Sequence, residues 1–150
     1  MPPEDAPGLG APAPRRRPQS LLFACSHNAV RSPMAEGLGR RLFGQEIYFA
    51  SAGLRAGQLD PFAIAAMAEI GVDISRHKPQ AFGDLDDMSF DMIVSLSPEA
   101  HHSALEFTRT MAVEAVYWPT LDAYRGVRDG LDRRIRDLLT IVAPASGAKA

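Results

Sequence analysis

The sequence has little of several features that mark common classes of protein. Cys25 is the only cysteine in 150 residues, so no internal disulfide framework can form. No apolar stretch approaches the roughly 20 residues of a membrane-spanning helix, and we expect no membrane contact. The net charge of −2 leaves no excess of basic side chains for nucleic acid. Hydrophobic residues still make up 46% of the chain, which suits the core of one small domain, and we expect a cytoplasmic location.

The two ends of the chain differ in composition from the rest. Residues 1–18 hold six of the twelve prolines and the cluster Arg15-Arg16-Arg17, without helical or strand periodicity. Such segments bury too little apolar surface to offset the entropy of ordering them. We therefore expect a disordered Pro/Ala/Arg-rich tail over residues 1–18, one domain over residues 19–143 and a frayed C-terminus over residues 144–150.

Between these ends, strand-like and helix-like segments alternate. The predicted strands are residues 20–24, 47–50, 92–96 and 113–117, and the predicted helices are residues 33–43, 61–70, 98–110 and an apolar stripe from Leu121 to Val142. Asp60 and Ser97 suit N-cap positions, and Gly44 and Gly71 suit helix ends. This alternation predicts an α/β domain with a four-stranded parallel sheet, flanked by helices on both faces. Ligand sites of such sheets lie at the carboxyl ends of the strands.

The loop after the first strand has the composition of an anion-binding site. Cys25 and Arg31 bracket five residues, and Ser32 and Pro33 suit the N-cap and first position of a helix. Backbone N–H groups and the positive end of that helix would converge on one point, to which Arg31 adds a planar fork of donors. Taken singly, the cysteine is typical of a small buried side chain and the arginine of a surface ion pair. Together they favour a phosphate-binding loop in which Cys25 is held as the nucleophilic thiolate.

The run from Leu22 to Glu36, LFACSHNAVRSPMAE, resembles the active-site segment of the low-molecular-weight protein tyrosine phosphatases, whose fold the related arsenate reductases share. Further similarity lies in residues 51–53, 71–77 and 90–94 and extends over about residues 20–143. The resemblance implies that Cys25 takes the phosphoryl group and that Arg31 binds its equatorial oxygens. It also implies that Asn28 holds the shape of the loop and that Ser32 hydrogen-bonds the thiolate. The substrate-binding loop is completed by Ser26, His27, Ala29 and Val30, with no metal and no cofactor.

The general acid has two interpretations. The family uses an aspartate, usually followed by proline, in a long loop after the fourth strand. In one interpretation Asp122 is that acid, with Ala123 in place of the proline. In the other the acid loop is missing, and Asp122 lies in the first turn of the last helix, where its charge complements the helix dipole. The spacing of Leu121 and Tyr124 favours the second interpretation.

The sequence therefore predicts a hydrolase, a cysteine-dependent phosphatase that forms a phosphocysteine intermediate. Its substrate would be a phosphorylated small molecule or a phosphoprotein, phosphotyrosine included, although residues 51–57 lack the aromatic wall of phosphotyrosine-specific relatives. The enzymatic alternative is arsenate reduction. A thioredoxin-coupled route needs two further cysteines, which leaves a single-cysteine route with a small thiol such as glutathione. A third alternative is an oxyanion-binding module or regulatory pseudophosphatase.

Three other polar residues receive structural interpretations. One interpretation places His77 at the border of the site, but its position between Arg76 and Lys78 favours a solvated loop residue. Glu99 is typical of a charge in the first turn of a helix. Arg55 would add a second positive charge if it faced the phosphate-binding loop.

Overall fold

The computed structural model describes residues 17–119 and 124–141. Two compact units divide the chain: Pro18–Ile135 carries the sheet, and the other unit contains Arg17 and the helical residues Arg136–Ile141. In this second unit the Arg17 guanidinium donates to the Leu139 carbonyl at 3.2 Å. The predicted tail falls mostly outside the described residues, and the predicted frayed C-terminus and Asp122 fall wholly outside them.

The chain forms a four-stranded parallel sheet with order β2-β1-β3-β4, which confirms the predicted fold class. The strands are β1 (Ser20–Cys25), β2 (Tyr48–Gly53), β3 (Met92–Ser95) and β4 (Glu114–Tyr117). The helices are α1 (Arg31–Phe43), α2 (Pro61–Ala68), α3 (Pro98–Phe107) and α4 (Tyr124–Ile141), with a short 3-10 helix at Phe82–Asp84. None of these described helices is both long and apolar enough to span a bilayer. Since β1 and β3 are neighbours at the centre, the loops that follow them emerge side by side at one edge.

The central strand β1 is buried on both faces, as expected for an inner strand of a parallel sheet. Leu22 and Ala24 belong to the core cluster on the α3 side. Phe23 points to the other face and stacks on Phe49 with the ring centroids 6.1 Å apart. Helix α1 packs there through Gly39, where a Cβ atom would come within 2.7 Å of the Phe49 ring. The apolar residues of β1 therefore fix the position of the loop that follows Cys25.

The start of α1 differs from the prediction. The helix begins at Arg31 with Val30 as its N-cap residue, so the prediction that Ser32 caps it is wrong. The reason is that the Ser32 hydroxyl bonds Cys25 and Asn28 instead of the helix backbone. The other two predicted N-caps are confirmed. The Asp60 carboxylate accepts from the Phe62 backbone N–H in α2, and the Ser97 hydroxyl accepts from the Ala100 backbone N–H in α3.

Helix α4 is fixed against α2 by a buried arginine. The Arg128 guanidinium donates to the Ala66 carbonyl at 2.9 Å and to Glu69 Oε1 at 2.8 Å. Arg125 also bonds Glu69, and hydrogen bonds from these two guanidinium groups lower the pKa of Glu69 to about 2. These contacts hold the first turns of α4 against the carboxyl end of α2, and the Tyr124 side chain reaches Asp60 at the amino end of α2.

Candidate active site

Cys25 ends β1, and its sulfur receives two hydrogen-bonding groups from the loop. Ser32 Oγ lies 2.8 Å from the sulfur, and the Asn28 backbone N–H donates to it at 3.2 Å. Asn28 Nδ2 donates to Ser32 Oγ at 2.8 Å, which leaves the serine hydrogen free to point at the sulfur. Cys25 is 5% exposed, so it lies at the floor of the loop with a small accessible face.

The backbone of the loop turns its N–H groups inward. The carbonyls of Cys25, Ser26, His27 and Ala29 accept hydrogen bonds, at 2.7–3.2 Å, from the backbone N–H groups of Leu54, Arg55, Gly57 and Asp60. In a trans peptide the C=O and the following N–H point in opposite directions. The amides that follow these outward carbonyls therefore face the centre of the loop. Together with the amino end of α1 they give an arrangement of donors that suits a tetrahedral anion.

Two glycines allow residues 54–60 to approach the loop this closely. A Cβ atom on Gly53 would lie 2.7 Å from the Asn28 nitrogen, and one on Gly57 would lie 3.1 Å from His27 Cβ. Register adds to this placement, because Gly53 pairs with Cys25 at the ends of β2 and β1. The segment after β2 is thus part of the site although it contributes backbone groups.

A cavity of about 510 Å³ opens above the Cys25 sulfur. It is lined by Cys25, Ser26, His27, Ala29, Val30 and Arg31 from the loop and α1, and by Tyr124 and Val127 from α4. Asn28 and Ser32 are fully buried and support the loop from below. The structure thus brings every predicted site residue together except Asp122, which lies outside the described residues.

Asn28 is the centre of the buried hydrogen-bond network under the loop. It adopts a left-handed backbone conformation with φ of 53°, which asparagine tolerates better than most residues. Its Nδ2 donates to Ser32 Oγ and, at 2.9 Å, to Ser51 Oγ. Its Oδ1 accepts from the Gln80 backbone N–H at 2.8 Å and from His77 Nε2 at 2.9 Å. Four partners fix the side-chain orientation, and the side chain fixes the loop.

The network continues to a glutamate in α1. Ser51 Oγ donates to Glu36 Oε1 at 2.5 Å, and Arg40 pairs with Glu36 Oε2 at 2.6 Å. His77 Nδ1 lies 3.7 Å from Glu36 Oε1. Burial lowers the pKa of His77, with the Glu36 charge acting in the opposite direction. The prediction that His77 is a solvated loop residue is wrong, because its ring bonds Asn28 below the site.

Two carboxylates among the described residues hydrogen-bond side chains that line the cavity. The Tyr124 hydroxyl donates to Asp60 Oδ2 at 2.7 Å, and this bond raises the pKa of the phenol. Ser26 Oγ donates to Glu99 Oε1 at 2.9 Å and lies 3.1 Å from Ser97 Oγ. Glu99 is in the first turn of α3, as predicted, and its contact with the loop was not foreseen.

Arg55 joins the site through its backbone. Its N–H donates to the Ser26 carbonyl at 3.1 Å, while its side chain is exposed and is absent from the residues that line the cavity. Across residues 17–119 and 124–141, no group of three or more His, Cys, Asp or Glu side chains has the arrangement of a metal site.

Comparisons with known proteins agree with this geometry. The family "Low molecular weight phosphotyrosine protein phosphatase" matches residues 20–144. Arsenate reductase 2 of Staphylococcus haemolyticus is 35% identical over 85 residues, 57% of this chain and 65% of that protein, so the chain spans just under two thirds of its length. The glutaredoxin arsenate reductase of a Synechocystis species is 28% identical over 132 residues, 83% of this chain and 99% of that protein.

One of the similar solved structures is an arsenate reductase in the phosphate-binding state. It superposes with a TM-score of 0.68 and 27% identity over 83% of this chain and 98% of that chain. The family match covers the sheet, the four described helices and the whole loop between Cys25 and Arg31. The chain therefore belongs to the low molecular weight phosphotyrosine protein phosphatase family.

Proposed function

We propose that this chain is a cysteine-dependent phosphatase that hydrolyses phosphomonoesters through a phosphocysteine intermediate. The observation that supports this most strongly is the position of Cys25, at the floor of a loop whose amides face inward and whose cavity Arg31 lines. Hydrogen-bond donors that are already in place stabilise charge as it develops on transferring phosphoryl oxygens. This arrangement suits attack by the Cys25 sulfur on a bound tetrahedral anion.

In the first step the Cys25 thiolate attacks phosphorus in line with the leaving oxygen. The S–P bond forms as the P–O bond breaks, and the loop amides and Arg31 hold the equatorial oxygens. The leaving oxygen takes a proton from Asp122 if that carboxyl reaches it, and otherwise from water. In the second step water attacks phosphorus, the P–S bond breaks, and inorganic phosphate and the Cys25 thiolate are released.

The proton donor decides which esters are good substrates. Loss of a general acid typically costs about 10²–10⁴ in rate when the leaving group is poor. Asp60 is a weak candidate for this role, because its carboxylate already accepts from the Tyr124 hydroxyl and from the Phe62 N–H. A chain without a working acid would favour esters whose leaving groups depart unprotonated, such as activated aryl phosphates.

The test compares hydrolysis of p-nitrophenyl phosphate with that of phenyl phosphate, by the native chain and by Cys25→Ser and Asp122→Asn variants. A phosphatase with a working acid turns over both esters in a Cys25-dependent way, and Asp122→Asn loses mainly phenyl phosphate hydrolysis. Turnover of the activated ester alone, unaffected by Asp122→Asn, would mean that Asp122 is not the acid. No Cys25-dependent turnover of either ester would refute the phosphatase proposal.

Arsenate reduction is the second candidate, supported by the names of the similar proteins. Cys25 would attack arsenate and expel water or hydroxide, giving a thiol–arsenate adduct. Attack of a glutathione thiolate on the Cys25 sulfur would release arsenite and leave a mixed disulfide, which a second glutathione would reduce, so two thiols supply the two electrons. Arsenite formation that needs both glutathione and Cys25, measured beside the ester assay, would favour this function.

A further inference from the structure

We propose that Glu99 makes this site select phosphomonoesters whose leaving group carries a positive charge, such as an ammonium or guanidinium group. The inference rests on the proposed phosphatase function and names its substrate class. It concerns the wall of the cavity at Ser26, where a leaving group would meet the protein once the phosphate occupies the loop.

The fold brings Glu99 to this wall. Helix α3 follows β3, and β3 is paired with β1, so the amino end of α3 lies beside the loop that follows Cys25. Ser26 lines the cavity, and its hydroxyl donates to Glu99 Oε1 at 2.9 Å. The N-cap Ser97 of the same helix lies 3.1 Å from that hydroxyl. The Glu99 carboxylate is therefore bonded directly to Ser26, the residue that follows the nucleophile.

The Glu99 charge is not neutralised by any neighbour that the structure describes. Within residues 17–119 and 124–141 no cationic group lies within 4 Å of its carboxylate, and Oε2 has no hydrogen-bond partner there. Arg55, whose backbone joins Ser26, forms no ion pair with it in this range. The helix dipole accounts for a carboxylate in the first turn of α3, but it does not account for the bond to Ser26.

An unpaired carboxylate beside an anion site has a definite electrostatic consequence. Like charges repel, so Glu99 disfavours the phosphate dianion of every ester, and it disfavours an anionic leaving group further. A cation in the leaving group replaces part of that repulsion with attraction. Tyr124, which also lines the cavity, favours a hydrogen-bond donor in the ligand as well. Its hydroxyl donates to Asp60 and so offers only acceptor lone pairs to a ligand. Among the residues that line the cavity, the lasting positive charge is that of Arg31, which belongs to the start of α1.

Three aryl phosphates with nearly the same leaving phenol test the proposal. O-phosphotyramine has a cationic side chain, its N-acetyl derivative is neutral, and 3-(4-phosphonooxyphenyl)propanoate is anionic. The native chain should prefer them in that order of kcat/KM at low ionic strength. Because solvent-exposed ion pairs are worth little, Glu99→Gln should reduce the cationic-to-neutral ratio by only about two- to five-fold. Glu99→Lys should reverse the order.

A matched control separates a local effect from a change in net charge. Glu106→Gln removes one negative charge from the same helix, where Glu106 is exposed and pairs with Arg109 at 3.1 Å, and it should leave all three rates unchanged. Equal loss on all three esters in Glu99→Gln, or an unchanged ratio, would overturn the inference while leaving the phosphatase function intact. No Cys25-dependent hydrolysis of any ester would overturn the proposed function and this inference with it.

Discussion

Replacement of Asn28 by alanine tests the claim that a buried side chain, rather than the loop sequence as a whole, fixes the phosphate-binding loop. Asn28 is fully buried, and its amide makes four hydrogen bonds with Ser32, Ser51, His77 and Gln80. Alanine removes all four and leaves the polar partners inside the protein. It also places a residue that disfavours positive φ at a backbone angle of 53°.

The size of the effect follows from these two terms. Each hydrogen bond contributes about 1 kcal/mol to the free energy of unfolding. A left-handed conformation costs a residue such as alanine about 1–2 kcal/mol. The total loss is therefore about 5 kcal/mol, which would bring a protein at the lower end of the ordinary stability range of about 5–15 kcal/mol close to unfolding. Asn28→Gly loses the same hydrogen bonds but tolerates positive φ. Glycine loses more conformational entropy on folding than alanine, which offsets part of this gain. The free energy of unfolding of the glycine variant should therefore exceed that of the alanine variant by about 0.5–1 kcal/mol.

Urea unfolding followed by circular dichroism measures both differences. His77→Gln serves as the comparison that loses a single partner of Asn28 and should cost about 1 kcal/mol. A loss below about 2 kcal/mol in Asn28→Ala, which is less than half of the four-bond sum, would refute the reasoning. So would an alanine variant more stable than the glycine variant, because that order would mean that the positive φ is relieved by rearrangement of the loop.

Three further predictions concern other parts of the site. Gly53→Ala should lower the free energy of unfolding by about 1–3 kcal/mol and weaken phosphate binding measured by calorimetry, because the new Cβ would lie 2.7 Å from the Asn28 nitrogen. Gly83→Ala is the control that should change neither quantity, because a Cβ atom there would have nothing within 4 Å. Burial keeps the pKa of His77 below its usual 6.5, so on acidification the unfolded chain binds the proton before the folded chain does. The contribution of His77 to the urea midpoint should therefore be constant above pH 6.5 and decrease as the pH drops below 6.5. A midpoint that rises on acidification would contradict this. Arg31→Lys keeps the charge but loses the planar fork, and it should lower kcat/KM for p-nitrophenyl phosphate by about 10²–10³; near-native rates would exclude Arg31 from the transition state.

Much of the fold was predictable because its signals are local. The apolar run of β1, the capping residues Asp60 and Ser97 and the periodicity of the helices all act within a few residues of the structure they specify. The position of the loop between Cys25 and Arg31 was predictable for the same reason, since the end of β1 and the start of α1 lie next to it in the sequence. The strand order was not predicted, because pairing of β1 with β3 depends on packing between distant segments.

The support of the loop could not be predicted from local sequence. Ser51, His77 and Gln80 lie 23, 49 and 52 residues from Asn28, and each is an ordinary polar residue in its own segment. His77 has charged neighbours in sequence, which indicated a solvated position, but the fold turns its ring inward. The same reasoning missed the N-cap of α1, because a serine that suits a cap can also bond a cysteine and an asparagine across the loop.

The proposed mechanism assigns the phosphoryl group and the leaving group to residues that lie far apart in the sequence, and this separation should be visible in kinetics. The parts that bind phosphate and hold Cys25 depend on β1, on residues 54–60 and on the network under Asn28. The proposed proton donor, Asp122, lies far along the sequence from all of these, and in the proposed mechanism it would act on the leaving group only. Changes under the loop should therefore lower the rate for every ester by a similar factor, since the phosphoryl group is common to all. Changes at the proton donor should lower it more steeply as the leaving group becomes more basic. A series of aryl phosphates thus distinguishes damage to the loop from loss of the acid.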